Sequence, residues 1–368
     1  MPTKVLRLVA DAENGIAFEK AMLPEPGSGQ VLVETAYSFV SAGTELSLLQ
    51  MSPNPNFRRP VVRERLGYSL SGVVVATGAG VDHVKRGDRV ACLGEGAFHS
   101  SRVLMAKNLV TPLPEAVSLK EASLVAMLCF SLEAIHKAQP EFGENALVAG
   151  AGMMGQITAR LLLALGNRVW MVDRNSRRLA HAPRSVKTLE GSSAAWARFA
   201  RETQPYGIEA AYVCLGGEAT GLFERIKGVM SLSPDGIRHG RIIFPGGATL
   251  TVSMASPSGN LRLISSAKAG AGYRDARYEN ENGYPATYIK WDVRRNAATM
   301  LRAIADETLE VSPLITHLIP FGSAADAYHL LAQPDTEAMG VLLDHGHPAA
   351  GTISQHNPLS RNGAAALE

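Results

Sequence analysis

The sequence predicts an α/β protein with two domains, a small antiparallel β-barrel and a doubly wound parallel sheet. Three observations lead to this prediction. The chain has 368 residues, which is more than one average core holds. Its first third contains short β-branched and aromatic stretches that end in glycine, as antiparallel strands do. From Asn145 onwards, strand and helix patterns alternate, as in a parallel sheet with helices on both faces.

The elements of the barrel domain follow from local patterns. Strands are predicted at "QVLVETAYSFV", "GYSLSGVVVATGAG" and "GDRVACLGEGAF". A helix is predicted over 118–138, where Ser118 and Glu121 form a capping box. A later helix opens near Asp292, and "AADAYHLLAQ" and "GVLLDHG" supply a last helix and a last strand.

The parallel domain reads "NALVAG", "MMGQITARLLLAL", "RVWMVD", "AAWARFARETQ", "AAYVCLG", "ATGLFERIKGVMSL" and "GRIIFPGG" in order. We assign residues 125–268 to it, and 1–124 together with 269–346 to the barrel domain, so that the two ends of the chain enclose an inserted unit. Residues 347–368 lack apolar periodicity and are expected to be a disordered tail. The terminal "AAALE" resembles an expression-vector remnant.

Composition excludes several function classes. The net charge is +2, which gives no electrostatic reason to expect a nucleic-acid or anionic-membrane partner. No apolar run is long enough to span a bilayer, and the start has no signal-peptide pattern, so a cytoplasmic location is expected. Cys92, Cys129 and Cys214 are scattered, which indicates neither a disulfide framework nor a zinc knuckle.

Gly150, Gly152 and Gly155 form a G-x-G-x-x-G turn between a predicted strand and a predicted helix. In such a turn the first glycine permits the bend, the second lets the backbone approach a pyrophosphate, and the third lets the helix pack on the strand. The pattern predicts a dinucleotide site at the start of the helix. The alternative is a glycine-rich turn of another α/β fold. The residues expected to complete the site are Met153, Met154, Arg174, Leu215, Gly216, Pro245 and Gly246.

Asp173 ends the next strand, 18 residues past Gly155. Its carboxylate is expected to accept hydrogen bonds from the adenosine ribose and to repel a 2′-phosphate, which favours NAD over NADP. Arg174, Arg177 and Arg178 follow directly and leave NADP open, because they could hold that phosphate instead.

The run "GVVVATGAGVDHVKRGDRVA", the helix after it, the glycine turn and "LEVSPLITHLIPFGSAADAYHLL" together resemble the medium-chain dehydrogenase/reductase family over residues 5–345. The resemblance implies a GroES-like catalytic barrel, a Rossmann domain, a cleft between them, and a homodimer or homotetramer. Zinc-dependent members of that family read "CGTD" and "GHE", where this chain has "AGTE" and "GYS". Ala42 and Tyr68 therefore stand in place of two ligands. Cys129 alone cannot make a tetrahedral site, and the cysteine-rich structural lobe is missing, so we expect neither a catalytic nor a structural zinc.

Without a metal, a substrate oxygen must be polarised by hydrogen-bond donors or acids. Thr44 matches the serine or threonine that relays the alcohol proton in the zinc-dependent relatives, and it is our first candidate. The Tyr68 phenol is the second, and Glu45 is a candidate for orienting or accepting the proton. Alternatively, Tyr68 is a packed ring that fills the vacated site, and Glu45 pairs with an arginine and braces the loop.

The stretch over 269–296 is long, irregular and aromatic. Its side chains Tyr273, Tyr284, Tyr288 and Lys290 are candidates for a substrate wall. A dimer contact is the alternative for the same residues. This segment resembles those of zinc-free dehydrogenases from polysaccharide and secondary-metabolite pathways.

The leading hypothesis is a zinc-independent NAD(P)-dependent oxidoreductase that moves hydride between nicotinamide and a secondary alcohol or ketone. The substrate is expected to be a small molecule that is sugar-like or a secondary metabolite. One alternative is reduction of an activated C=C or C=N bond, as in quinone, enoyl or imine reductases. A second alternative is a dinucleotide-binding protein that has lost its chemistry.

Overall fold

The structure is a computed structural model that describes residues 2–11, 15–52, 64–252, 259–281 and 283–347. The tail predicted from 347 onwards lies outside the described residues, apart from its first residue. In the part of the chain that the structure covers, no helix has the length and apolar character needed to cross a membrane.

The first third of the chain is mostly β-structure, as predicted. Its strands are β1 (Thr3–Asp11), β2 (Gly15–Leu23), β3 (Gln30–Phe39), β4 (Glu64–Arg65), β5 (Ser69–Thr77), β6 (Arg89–Leu93), β7 (Arg102–Ala106) and β8 (Val110–Pro112). Its helices are α1 (Ala42–Leu48), α2 (Leu119–Ala122) and α3 (Val125–Ala138). The strands β1, β2 and β4 form a small antiparallel sheet of their own.

The helix predicted over 118–138 is divided into α2 and α3. The capping box at its start is present, because the Ser118 side chain accepts from the Glu121 amide and Glu121 reaches back to the Ser118 amide. The division arises from strand β5. The Ser69 hydroxyl donates to the Ser123 carbonyl oxygen at 2.6 Å and accepts from the Ala126 amide at 3.1 Å, so a side chain replaces the helical hydrogen bonds there.

The middle of the chain forms the predicted doubly wound sheet. Its strands are β9 (Asn145–Ala149), β10 (Arg168–Val172), β11 (Lys187–Leu189), β12 (Ala210–Val213), β13 (Gly217–Glu218), β14 (Ser231–Leu232), β15 (Arg238–Phe244), β16 (Ala248–Thr249) and β17 (Asn260–Ser265). Its helices are α4 (Met153–Ala164), α5 (Ser176–Leu179), α6 (Ser193–Glu202) and α7 (Thr220–Val229).

The parallel strands of this sheet run in the order β11-β10-β9-β12-β15-β17. The strands before β12 are added to one side of β9, and β12 and the later strands are added to its other side. Ligands of doubly wound sheets bind at such a switch point, beyond the carboxyl ends of the strands. The short β14 adds to β15 in the antiparallel sense. The sequence did not predict β17, which is mostly exposed along the edge of the sheet and shows no clear apolar alternation.

The last part of the chain returns to the barrel domain. It contains α8 (Ala276–Asn280), α9 (Val293–Ala305), β18 (Ile315–Pro320), α10 (Ala324–Ala332) and β19 (Gly340–Asp344). The helix α9 begins at its predicted N-cap, Asp292, whose side chain accepts from the Arg295 amide. Strand β19 pairs with β3, which gives the sheet order β18-β19-β3-β5-β6-β8, with β7 also on β3. The pairs are antiparallel except for β18 with β19.

One buried apolar cluster joins the two domains. It runs from the inner face of the barrel sheet through α3 and α4 to one face of the parallel sheet. A second cluster lies under α6 and α7 on the opposite face, and a third holds α1 and α10 against β1 and β19. The shared core fixes α3 between the barrel and the glycine turn, and this placement determines the geometry of the site.

Candidate active site

The three glycines of the turn meet different surroundings. A Cβ atom on Gly150 would lie 2.7 Å from the Cys214 carbonyl oxygen, across the switch point, and one on Gly155 would lie 1.8 Å from the Gly150 carbonyl oxygen. Both positions therefore exclude a side chain for packing reasons. A Cβ on Gly152 would meet no described atom within 4 Å. The open side of the turn is thus above Gly152, where a pyrophosphate would approach the backbone.

Helix α4 begins directly after Gly152, which is its N-cap and carries no side chain to cap it. The first N–H groups of a helix have no intrahelical acceptor, and the helix dipole adds positive potential at that end. Met153 is buried and Met154 is half-buried at this start. The residues present therefore fit the phosphate groups of a dinucleotide.

The Asp173 carboxylate lies over the same turn. One oxygen accepts from the Ala151 amide at 2.6 Å and the other from the Asn175 amide at 2.8 Å. The acid is thus fixed beside the glycine turn, at the end of β10. Of the arginines that follow, Arg177 pairs with Glu337 at 2.9 Å and Arg178 donates to the Thr336 carbonyl oxygen at 3.3 Å.

Arg174, the remaining one of these arginines, is exposed. Arg177 and Arg178, two of the three arginines that could hold a 2′-phosphate of NADP, are therefore held by neighbouring groups of the protein.

The ends of β12 and β15 lie side by side next to the turn. A Cβ on Gly246 would lie 2.6 Å from the Leu215 carbonyl oxygen, and the Gly217 amide donates to the Gly247 carbonyl oxygen at 3.1 Å. Gly216 is exposed and Pro245 is buried at this edge. These predicted cofactor residues thus share the carboxyl edge of the sheet with Gly150.

The predicted catalytic residues form a second cluster in the barrel domain. The Tyr68 phenol donates to the Ser41 hydroxyl at 2.5 Å and lies near the Thr44 side chain. Burial raises the pKa of Tyr68 well above its usual value, and the nearby Glu45 charge adds to that rise. The phenol is therefore protonated at neutral pH and acts as a donor.

Helix α3 connects the two clusters. The Phe130 ring packs edge-on against Tyr68, with ring centres 6.1 Å apart, and against Tyr273 at 5.4 Å. The next residue, Ser131, donates to the Met154 carbonyl oxygen at 3.4 Å. Neighbouring residues of one helix thus contact the phenol cluster and the start of α4, so α3 connects the two clusters.

Glu45 is 1% exposed and is bonded on all sides. Its carboxylate accepts from the Ser41 amide at 2.8 Å, from His99 Nε2 at 3.0 Å and from the Tyr328 phenol at 2.6 Å. These contacts support the interpretation of Glu45 as a brace, with a histidine and a tyrosine in place of the expected arginine. A role in accepting a substrate proton stays a prediction.

The positions that correspond to the zinc ligands carry a different donor set. Ala42 has no ligating atom, and the Tyr68 phenol is protonated and held by hydroxyl groups. Burial raises the pKa of the Cys129 thiol far above neutral pH, and that side chain is fully buried in α3. Among the residues that the structure describes, no three His, Cys, Asp or Glu side chains converge as metal ligands would. These residues do not fit a catalytic zinc.

The candidate side chains of the aromatic stretch over 269–296 lie in different environments, some in the interior and some on the surface. Tyr273 is buried beside Phe130 and contacts the region of Gly94. Tyr284 bonds Asp275 within the stretch and packs on Tyr278.

The other two candidates from this stretch lie on the surface. Tyr288 is 85% exposed, and the exposed Lys290 ammonium lies 5.5 Å from the Trp291 ring centre. Tyr273 is thus the member that the structure brings to the phenol cluster. The substrate-wall and dimer interpretations of Tyr284, Tyr288 and Lys290 stay predictions.

Sequence reasoning did not find Ser41, His99 or Tyr328. Ser41 carries a weak signal, because it precedes α1 as its N-cap, a position where serine is common. His99 and Tyr328 carry none, since 54 and 283 positions separate them from Glu45. Only the folded barrel brings these groups together.

Comparison with known proteins relates this fold to a class of enzymes. Residues 27–115 match the family model described as "Alcohol dehydrogenase GroES-like domain". These residues therefore carry the GroES-like domain of alcohol dehydrogenases, and the chain is similar along most of its length to sorbitol dehydrogenase of Rattus norvegicus. The match to that relative is 26% identical over 354 residues, and it covers 88% of this chain and 91% of the relative.

Solved structures share the fold. An oxidoreductase/dehydrogenase of unknown specificity from Escherichia coli matches with a TM-score of 0.74 at 16% identity, over 93% of this chain and 99% of that one. A short chain alcohol dehydrogenase from Escherichia coli CFT073, complexed with the cofactor NADH, matches with a TM-score of 0.68 at 17% identity, over the same shares. The α/β fold with a GroES-like domain and a Rossmann sheet is confirmed, as is the prediction of an enzyme of the dehydrogenase/reductase class.

Proposed function

We propose that the chain is a zinc-independent, NAD(H)-dependent oxidoreductase that moves hydride between the nicotinamide and a secondary alcohol or ketone of a sugar-like or secondary-metabolite substrate. The observation that carries the proposal is the protonated Tyr68 phenol, bonded to Ser41 and close to Thr44, which α3 connects to the helix that follows the glycine turn. The similarity to a sorbitol dehydrogenase favours a substrate with several hydroxyl groups.

Cofactor choice follows from charge at the turn. Asp173 places a negative group where an adenosine ribose would lie, and a 2′-phosphate there would be repelled. Arg177 and Arg178 are held by Glu337 and Thr336, which leaves Arg174 as the exposed cation next to the acid. This balance supports NAD over NADP.

The side chains of the cluster supply the proton chemistry. The bound nicotinamide supplies or takes up the hydride. In the reducing direction, Tyr68 turns its hydrogen from Ser41 to the carbonyl oxygen and then transfers that proton; the Ser41 hydroxyl donates to the phenolate, which regains a proton from solvent water. In the oxidising direction the steps run in reverse: water takes the phenol proton, and the phenolate then accepts the proton of the alcohol. Phe130 and Tyr273 exclude water from the reacting atoms.

Zinc independence rests on the donor set at the ligand positions. A catalytic zinc needs three protein ligands and an open position. Ala42, a hydrogen-bonded phenol and a buried thiol do not make such a set. Hydrogen bonding and positioning take over the polarisation of the substrate oxygen.

We also propose a homodimer. Strand β17 pairs with β15 on one side and lies at the edge of the parallel sheet. Leu263 in this strand is 43% exposed, and an exposed apolar edge strand favours pairing with another chain. A two-fold axis through the edge would join the two sheets.

The experiment compares Tyr68→Phe and Thr44→Val with the wild-type enzyme on a panel of polyols, ketones, enones and imines, followed at the reduced-nicotinamide absorbance. We expect Tyr68→Phe to lower kcat by about a hundredfold, the size of effect of removing a positioned acid, while NAD binding persists. Tyr206→Phe is the matched control, because Tyr206 is 65% exposed in the parallel domain. Wild-type turnover by Tyr68→Phe would refute the assignment of the phenol.

A further inference from the structure

The groups around Glu45 form a buried hydrogen-bonded cluster that links three separate parts of the barrel domain. An isolated carboxylate without solvent is costly, so its donors determine whether it can stay in place. Here the donors are the Ser41 amide at the start of α1, His99 from the loop before β7, and Tyr328 from α10. These three hydrogen bonds hold the Glu45 carboxylate in place, and they thereby fix the start of α1.

His99 is the member with the most fixed orientation. It is 0% exposed, and its Nδ1 pairs with the Ser38 hydroxyl at 2.7 Å while Nε2 donates to Glu45. Ser38 in turn pairs with His345 Nε2 at 2.9 Å. With both ring nitrogens engaged, the imidazole cannot rotate without breaking a buried hydrogen bond.

His99 also supports the segment that carries Tyr68, directly before β5. Its amide donates to the Leu66 carbonyl oxygen at 2.8 Å. A Cβ on Gly67 would lie 2.7 Å from the His99 amide nitrogen and 2.9 Å from its Cγ, so the backbone before Tyr68 rests directly on the histidine. One residue therefore contacts both segments whose hydroxyl groups meet, the start of α1 through Glu45 and the backbone before Tyr68.

The geometry points to a positioning role. We propose that His99 holds Ser41 and Thr44 against the Tyr68 phenol, by fixing Glu45 at the start of α1 and by packing under Gly67. Although Glu45, His99 and Ser38 follow the order of a hydrolase triad, Ser38 is fully buried, so the group serves positioning and not nucleophilic chemistry. This inference rests on the proposed function, because it assigns the cluster to the hydride-transfer site.

The matched variants are His99→Asn and His99→Gln. Asparagine can reach Ser38 but not Glu45, whereas the glutamine amide nitrogen stands close to the position of Nε2 and can donate to Glu45. We expect His99→Asn to lower kcat by about tenfold to hundredfold with KM for NAD within about twofold, as expected for misplaced reacting groups. His99→Gln should recover most of that loss. His317→Gln, in strand β18, is the control with wild-type kinetics.

A second readout needs no turnover. The Ser41 amide bonds to Glu45, so hydrogen exchange of a peptide that covers 41–49 should become about tenfold faster in His99→Asn, while a peptide from α4 is unchanged. Tyr328→Phe, which removes one donor and keeps the ring, should give a smaller effect of the same kind and serves if His99→Asn does not fold.

The two readouts separate the claims. Unchanged exchange over 41–49 in both variants overturns the positioning role of His99. Faster exchange with wild-type kcat keeps the brace but overturns the assignment of Ser41 and Thr44 to the reaction. Slower turnover, faster exchange and rescue by glutamine together support the proposal.

Discussion

Gly152 and Gly155 differ in what an added methyl group would meet, and this difference separates cofactor binding from folding. The space above Gly152 is open within the described residues, whereas a Cβ on Gly155 would overlap the Gly150 carbonyl oxygen. We expect Gly152→Ala to keep the wild-type melting temperature and to weaken NAD binding by about tenfold, or 1.4 kcal/mol. Gly155→Ala should lower the melting temperature. Titration of intrinsic fluorescence and thermal unfolding measure the two effects, and wild-type affinity of Gly152→Ala would contradict the placement of the cofactor.

Asp173 has both a charge and two backbone hydrogen bonds, which a single variant can separate. Asp173→Asn keeps an oxygen acceptor for Ala151 or Asn175 but loses the charge. We expect the ratio of NADP to NAD affinity to rise by about tenfold, because the repulsion of a 2′-phosphate disappears. Competition binding with the two cofactors tests this. An unchanged ratio would mean that the acid does not determine cofactor choice.

At the residue scale, the sequence predicts groups that act through local rules. The glycines of the turn and Asp173 follow from spacing within one β-α-β unit, and the structure brings the Asp173 carboxylate onto the turn; their contacts with a cofactor stay predictions. Ser41, His99 and Tyr328 follow from no local rule, because their contacts depend on the packing of distant strands and helices. Glu45 was found by its position, but its partners were not.

At the scale of elements, the junction of α2 and α3 depends on a side chain from another strand. Ser69 is fully buried and serves both the Ser123 carbonyl and the Ala126 amide. We expect Ser69→Ala to destabilise the fold by about 1–3 kcal/mol, because buried backbone groups lose their partner. Chemical unfolding measures the change. Ser28→Ala, at an exposed turn, is the control, and equal stability of both variants would contradict this account.

His345, which directly follows β19, is expected to make the free energy of unfolding depend on pH. Burial, and then the nearby His99, lowers the pKa of His345 to about 3, well below its ordinary value of 6.5. The ring stacks on Phe321 and bonds Ser38. Because the unfolded chain takes up this proton near pH 6.5 and the folded protein does not, the stabilisation is complete above pH 6.5 and is lost progressively as the pH falls towards 3.

His345→Phe isolates this effect. Its unfolding free energy should fall less steeply between pH 6.5 and 4.5 than that of the wild type, by up to about 1.4 kcal/mol per pH unit. His136, with a pKa lowered to about 4 chiefly by burial, contributes in the same direction in both proteins. Identical slopes in the two proteins would exclude His345 as a source of the pH dependence.

Element prediction succeeded where periodicity was strong and failed where another element intervened. The capping box of α2 and the N-cap of α9 were read from short local motifs. The break between α2 and α3 near Ser123 could not be predicted from local sequence, because the side chain that causes it, Ser69, lies in β5. Strand β17 was missed because an exposed edge strand has no buried face to impose alternation.

At the scale of the whole molecule, the edge strand β17 determines the expected assembly. We predict a dimer at micromolar concentration by light scattering, and a monomer for Leu263→Asp, because a charge on the exposed edge opposes pairing. Leu165→Asp, at a surface site that is 44% exposed at the end of α4, is the control. A wild-type monomer at all concentrations would refute the proposal.

The two-domain plan as a whole could be predicted because each half obeys its own periodicity. From the order of the elements we expected the chain's two ends to build one domain, but that order does not show which strands pair; in the structure β19 pairs with β3. The connection between the two clusters depends on α3, whose residues Phe130 and Ser131 contact one cluster each. A sequence pattern identifies α3 as a helix but does not show which sites it joins.

The most direct test of the central claim is the metal content of the active enzyme. We predict that the protein, purified without added metal and turning over a substrate from the panel, contains far less than one zinc per chain. We also predict that its kcat is unchanged after dialysis against a strong chelator. One zinc per chain, or activity that the chelator removes and added zinc restores, would contradict a site in which Tyr68 and its hydroxyl partners replace the metal.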